Sequence, residues 1–138
     1  MLRLYRKLIP VILLTLLVCG QTTAGDNAIP EMLKTYQSLG AGPFSAQNGE
    51  KLWKKVVTND EKGDKRECAT CHKTDLTKNG EHKKNGKTIK PMAPSVNPER
   101  FTEAKKIRKW FRRNCKWTWG RACTPQEKGD LLTYLGQQ

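Results

Sequence analysis

The sequence predicts an all-α domain of three to four short helices joined by long loops, and three observations predict it. Apolar residues recur at helical spacing in four stretches of the chain, while no stretch alternates as a half-buried strand does. Between Thr74 and Pro98 large apolar residues are few and Lys, Gly, Asn and Pro are many, so this reads as one long irregular segment. Loops of that length usually have a job. Finally, 138 residues, 36% hydrophobic and 28% charged, make one small domain. They exclude a barrel of about 250 residues or a two-domain dehydrogenase.

The elements follow in chain order. Arg3, Arg6 and Lys7 precede an apolar run from Leu8 to Val18, and Thr22-Thr23-Ala24 offers a small-residue cleavage site, so residues 1–24 read as a secretory signal peptide. The run is short of the roughly 20 apolar residues a spanning helix needs. An uncleaved anchor and a lipoprotein signal at Cys19 are the alternatives, the latter opposed by Val18 where a small residue is expected. Residues 25–43 form an N-terminal extension with a short helix starting at Pro30, in which Met32, Leu33, Tyr36 and Leu39 share a face until Gly40, Gly42 and Pro43 close it. Ser45 caps a second helix reaching about Thr58, with Gly49, Leu52, Trp53 and Val56 on one side. A glycine inside a helix costs about 0.8–1.0 kcal/mol against alanine, so Gly49 implies close approach of another helix. A polar loop runs from Asn59 to Arg66. Thr102 caps a third helix carrying Ala104, Ile107, Trp110, Phe111 and then Asn114. Thr124, Pro125 and Glu127 open the last helix as a capping box, and it buries Leu131, Leu132, Tyr134 and Leu135.

Charge limits the partners. The chain holds 26 Lys and Arg against 13 Asp and Glu, and without residues 1–24 the balance is 23 against 13. A mean hydropathy of −0.73 leaves no room for a membrane-embedded body beyond the N-terminal segment. The cations are spread along the chain with no phosphate-cradling loop beside them, and an exported protein does not ordinarily meet nucleic acid, which is therefore not a partner. An acidic protein or an anionic membrane surface fits better, beside the bland reading that the charge serves solubility.

Five cysteines are the main chemical signal. Cys68-Ala69-Thr70-Cys71-His72 is the C-x-x-C-H pattern of covalent c-type haem attachment, in which two thiols reach the two vinyl groups on the porphyrin and the adjacent imidazole reaches the iron. A thioredoxin-like redox pair needs a βαβ pattern, and a zinc site needs two further nearby ligands; neither is present. Three or four short helices also bury too little for a domain of this size, so one covalently bound haem c accounts for the missing centre. Cys115 and Cys123 flank the seven residues Lys116 to Ala122, and in an oxidising compartment their most economical fate is a disulfide, with two free thiols as the alternative. Chain-entropy arithmetic values so short a loop at roughly 2.5 kcal/mol.

The blocks Cys68 to His72, Thr74-Asp75-Leu76-Thr77, Lys90-Pro91-Met92-Ala93-Pro94-Ser95-Val96-Asn97-Pro98, Trp110-Phe111-Arg112-Arg113-Asn114-Cys115 and Gln126-Glu127-Lys128-Gly129-Asp130 resemble the oxygen-binding monohaem cytochromes of the sphaeroides haem protein type, from about Phe44 to Leu135. The resemblance implies a class I cytochrome c fold, with residues 44–138 as the cytochrome c domain. It also implies iron held by His on one side and by an Asn side chain on the other. On the motif these are His72 and Asn114. From the residues alone Met92, in Pro-Met-Ala-Pro, is the first choice for the second position, and His82 is a third candidate set among Lys83, Lys84 and Lys87. Met92 also reads as an apolar residue packed on the porphyrin, and Asn114 as a helix C-terminal cap. Trp53, Trp110, Trp117 and Trp119 read as walls of the haem pocket.

The expected function is an exported, periplasmic monohaem cytochrome that binds oxygen, nitric oxide or another diatomic when reduced. A weak carboxamide ligand leaves ferrous iron more readily than a thioether does. The resemblance further implies reduction by a dihaem or multihaem cytochrome, whose surface would be acidic, with no stable membrane insertion after signal cleavage. A plain electron carrier with His72 and Met92 ligation is the alternative. An enzymatic reading, turning bound oxygen over, finds no dedicated proton donor in the sequence.

Overall fold

A computed structural model describes residues 27–58 and 63–138. The signal segment, Cys19 and the first half of the polar loop after Thr58 lie outside the described residues. Among the described residues there are five helices: α1 (Ile29–Ser38), α2 (Ala46–Trp53), the single turn α3 (Ala69–His72), α4 (Ala104–Trp119) and α5 (Pro125–Leu135). Two minimal antiparallel pairs accompany them, β1 (Val57–Thr58) with β2 (Lys65–Arg66), and β3 (Gly80–Glu81) with β4 (Thr88–Ile89).

These pairs correct the expectation of helix and loop alone. Each strand has two residues, too short for any alternation to show in the sequence. The first pair also shortens α2, which stops at Trp53 rather than near Thr58: Val57 pairs with Arg66 and Thr58 with Lys65. A β-branched Val at the end of a lysine-rich turn does better in that ladder than in another turn of helix. Arg66 anchors the pair, buried to 8% exposure, with Nη1 donating to the Trp117 carbonyl at 2.8 Å and its guanidinium 4.8 Å from the Trp117 ring. In the long segment, β3 and β4 make a hairpin closed by His82, whose carbonyl accepts from Gly86 N at 2.9 Å. His82 itself is exposed.

Caps decide the other boundaries. Ser45 accepts from Asn48 N and starts α2, and the capping box of Thr124 and Glu127 starts α5, both as the sequence implies. Thr102 is not the cap of α4: its hydroxyl donates to the Glu99 carbonyl at 3.1 Å, and Glu103 takes the cap position without a side-chain hydrogen bond. The helix then runs 16 residues to Gly120, which closes it in the left-handed conformation. Asn114 therefore lies inside the helix, and capping does not explain it.

Packing divides the core into two joined parts. Met32, completely buried, joins Ile29, Tyr36, Ile107 and Leu132 where α1 meets α4 and α5. Trp53, Ala69, Leu76, Ala93, Cys115, Trp119, Cys123, Leu131 and Leu135 form the second part, and Phe101 and Phe111 touch both. Helix α5 thus faces two ways, Leu132 into one part and Leu131 with Leu135 into the other. Fully burying each such leucine contributes about 1.5–3 kcal/mol. Helices α2 and α5 cross with Gly49 at the contact, where a Cβ would overlap the Asp130 carbonyl oxygen and lie 2.6 Å from Tyr134 Cβ. The close approach expected of that glycine is there. Buried Asp130 secures the crossing by accepting from Ser45 N at 2.7 Å and from Gln126 Nε2 at 3.1 Å.

Candidate haem site

The site is built on α3, which is only one turn long. Cys68 N-terminal to it already has helical dihedrals, and its carbonyl accepts from His72 N at 3.2 Å. Thr70 Oγ1 accepts from Glu67 N at 3.3 Å, fixing the entry to the turn. Lys73, at φ +68°, ends it. One turn is enough to set Cys68, Cys71 and His72 close together, because residues three and four apart in a helix share a face. Cys68 and Cys71 are both free and half-buried, although the other described pair, Cys115 and Cys123, is oxidised with a Cα separation of 5.6 Å. That disulfide, expected from the sequence, is fully buried and ties the latter part of α4 to the start of α5.

His72 lies against the Trp53 ring, centroids 5.6 Å apart and planes at 47°. Burial, with the nearby Arg100 guanidinium adding to it, lowers the imidazole from 6.5 to about 4. At neutral pH the ring is uncharged, the form that ligates iron. Burial pushes the Cys68 thiol up to about 12, with Glu67 contributing.

The chain after His72 is folded back onto it. Gly80 sits where a Cβ would overlap the Cys71 carbonyl oxygen and lie 3.0 Å from His72 Cα. Only glycine allows the β3 backbone to lie against the back of α3. Substituting Gly80→Ala is expected to destabilise the protein by about 1–3 kcal/mol, the usual range for overpacking. Urea unfolding of the holoprotein measures it, and an unchanged midpoint would show that the contact gives way freely. The Leu76 carbonyl accepts from both Met92 N and Ala93 N at 3.0 Å. The Pro91 carbonyl accepts from Asn97 Nδ2 at 2.9 Å and from Arg100 Nε at 2.7 Å, while Arg100 Nη2 reaches the Lys90 carbonyl at 2.5 Å. Residues 90–93 are thereby clamped from two sides, and Met92 packs half-buried on the cluster that holds Ala69 and Trp53.

Asn114 belongs to a different element. It is exposed on α4, one residue before buried Cys115 and three after Phe111. The structure thus brings Cys68, Cys71 and His72 together on one turn, packs Met92 on a cluster that holds both Trp53 and Cys115, and sets Asn114 on α4 beside the disulfide. The four tryptophans are not one wall. Trp53 and Trp119 belong to the buried cluster, Trp117 stacks on Arg66, and Trp110 is half-exposed beneath Lys109 and Arg113.

Sequence reasoning missed Gly80, Asn97 and Arg100. Asn97, inside the Pro-rich block, was open to suspicion as the one amide there. Arg100 gives no local signal, since its partners are carbonyls nine and ten residues away.

Haem c fits these residues. Of the four buried side-chain polar atoms without a partner among the described residues, His72 Nδ1, Trp53 Nε1 and Trp119 Nε1 are in this neighbourhood. Two free thiols and a neutral buried imidazole are the donor set such a group requires.

A small helical domain presenting this turn defines a monohaem c-type cytochrome. A family model described as a domain of unknown function (DUF1924) matches residues 40–135. The cytochrome c-type protein SHP of Cereibacter sphaeroides is 38% identical over 127 residues, which span 92% of this chain and 97% of that protein. Cytochrome c'' of Methylophilus methylotrophus is 38% identical over 68 residues, 49% of this chain and 47% of the relative. Among solved structures, oxidized SHP, described as an oxygen binding cytochrome c, superposes with a TM-score of 0.72 at 36% identity, covering 83% of this chain and all of that one. Oxidized cytochrome c'' gives 0.69 at 26% identity over 80% of this chain and 94% of its own. The chain belongs to the family of SHP, and it is a haem c protein with an all-α, cytochrome c-like fold.

Proposed function

We propose that this cytochrome binds a diatomic gas, oxygen or nitric oxide, when its haem is reduced, with Cys68 and Cys71 as the covalent attachments and His72 and Asn114 as the two axial ligands. The haem supplies the iron at which the gas binds. His72 holds one side, kept neutral by burial and positioned by Trp53 and the Gly80 contact. Asn114 would supply the second ligand to the oxidised group, and its neutral carboxamide, a weak donor to ferrous iron, would leave on reduction and open a position for the gas.

The observation that carries this reading is the placement of the two rival ligands. Met92 is bound through its backbone to Leu76, four residues after His72, and packs on the cluster that contains Ala69. Its main chain is thus tied to the segment that leaves the first ligand. Asn114 comes from a separate helix, steadied by the buried disulfide at the adjacent residue and freed of any capping role. The relative that matches almost end to end is itself an oxygen binding cytochrome c.

Residues 1–24 would direct the protein to the periplasm, and no helix of the described residues is long and apolar enough to cross a membrane. The reductant would be an acidic dihaem or multihaem cytochrome, complementary to the basic surface. The visible spectrum of the reduced protein with and without carbon monoxide tests the proposal. It is expected to be high-spin and five-coordinate, and to take up carbon monoxide with no displacement step limiting the rate. A low-spin reduced spectrum with slow uptake would instead establish His72 and Met92 ligation and an electron carrier.

A further inference from the structure

Helix α4 carries Lys105, Lys109, Arg112, Arg113 and Lys116 at positions i, i+4, i+7, i+8 and i+11, all exposed. At about 100° per residue these five project within an arc of roughly 100°, along about 17 Å of helix. The arc lies opposite the buried Ile107 and Thr118. None of the five has a carboxylate partner among the described residues: the ion pairs on this helix are Lys106 with Glu103 and Arg108 with Glu31. From Ala104 to Trp119 there is no Asp or Glu at all.

Folding does not explain such a stripe. Like charges three and four apart repel along the helix, and Lys105 stands in the first turn, where the macrodipole disfavours a cation. Solubility is served equally by cations interspersed with anions, as at α2, where Glu50 pairs with Lys54.

We propose that this stripe docks the protein on an anionic phospholipid bilayer. Complementarity of charge selects an anionic surface, and the composition of the arc selects a bilayer over a protein. A specific protein interface needs an apolar or aromatic anchor at its centre. The arc offers no free one: Trp110, half-exposed at its edge, is taken up by Lys109 and Arg113, and Phe111 projects on the other side of α4. A row of long, uniformly charged side chains on a straight helix instead matches a flat, laterally fluid surface of phosphates, which attracts cations without requiring shape complementarity.

The test is co-sedimentation of the haem-loaded mature chain with vesicles of phosphatidylcholine containing about 30 mol% phosphatidylglycerol. Binding is expected to the mixed vesicles and not to phosphatidylcholine alone, and it should be abolished by salt at about 0.5 M, where surface charges are screened. A contribution near 1 kcal/mol for each surface cation corresponds to about fivefold in affinity, so Lys109→Gln, Arg112→Gln and Lys116→Gln together should weaken binding on the order of 100-fold. Lys34→Gln, Lys78→Gln and Lys87→Gln remove the same net charge elsewhere and should weaken it less than about tenfold. An unchanged haem spectrum in both triple variants establishes that each is folded. Absence of binding to mixed vesicles, equal binding to neutral ones, or equal losses in the two variants would overturn the proposal. So would capture of the stripe by an acidic protein in place of vesicles.

Discussion

Replacing Cys68 and Cys71 together by alanine is expected to abolish covalent haem, so that acid acetone extracts all colour from whatever protein accumulates, whereas wild type keeps its colour. The argument is one of supply. The other two described cysteines, Cys115 and Cys123, are buried and joined to each other, so no second thiol pair is available to replace the first. His72 alone would then hold the group by one bond that acid breaks, because protonating the imidazole removes the ligand. Cys68→Ala and Cys71→Ala singly should each leave one thioether link and a shifted pyridine haemochrome band. Colour retained by the double variant after extraction would remove covalent attachment at this turn from the account.

The structure also separates what local pattern can encode from what it cannot. The disulfide, the caps of α2 and α5 and the reason for Gly49 were legible because each depends on residues close in sequence or on a strong steric rule. Two boundaries were misread for one physical reason, the competition of a distant partner. Lys55 to Thr58 have the composition of a helix end, but Val57 finds Arg66, which is itself drawn in by the Trp117 carbonyl some fifty residues on. Thr102 has the composition of a cap, but the Glu99 carbonyl takes its hydroxyl. The loop after Thr74 hid the rest of the site. Its order comes from backbone carbonyls of Leu76, Lys90 and Pro91, which every residue possesses and no sequence pattern marks.

Substitution of the two rival ligands is expected to give opposite results, and this separates gas binding from electron transfer. Asn114→Ala should change the oxidised spectrum, leaving the iron open or water-ligated, because no other polar side chain of α4 occupies that position. It should barely alter the reduced protein, from which the carboxamide is proposed to have withdrawn. The physical basis is ligand strength: a neutral amide donates weakly to ferrous iron, whereas the soft sulfur of methionine favours it. Met92→Ala should change neither ligation state. Its backbone hydrogen bond to Leu76 survives the substitution, and the loss is that of a half-buried side chain on the Ala69 and Trp53 cluster. Stability should fall by about 1–3 kcal/mol, less than the 2–5 typical of a fully buried methionine. Helix α4 itself should be undisturbed by Asn114→Ala, since alanine is the better helix former, Gly120 and not Asn114 closes the helix, and the Cys115 to Cys123 bridge remains. An altered haem spectrum therefore reports the iron and not unfolding. If Met92→Ala is the variant that changes the oxidised spectrum while Asn114→Ala is silent, the sixth ligand is the thioether, the reduced iron is closed to gases, and the protein is an electron carrier.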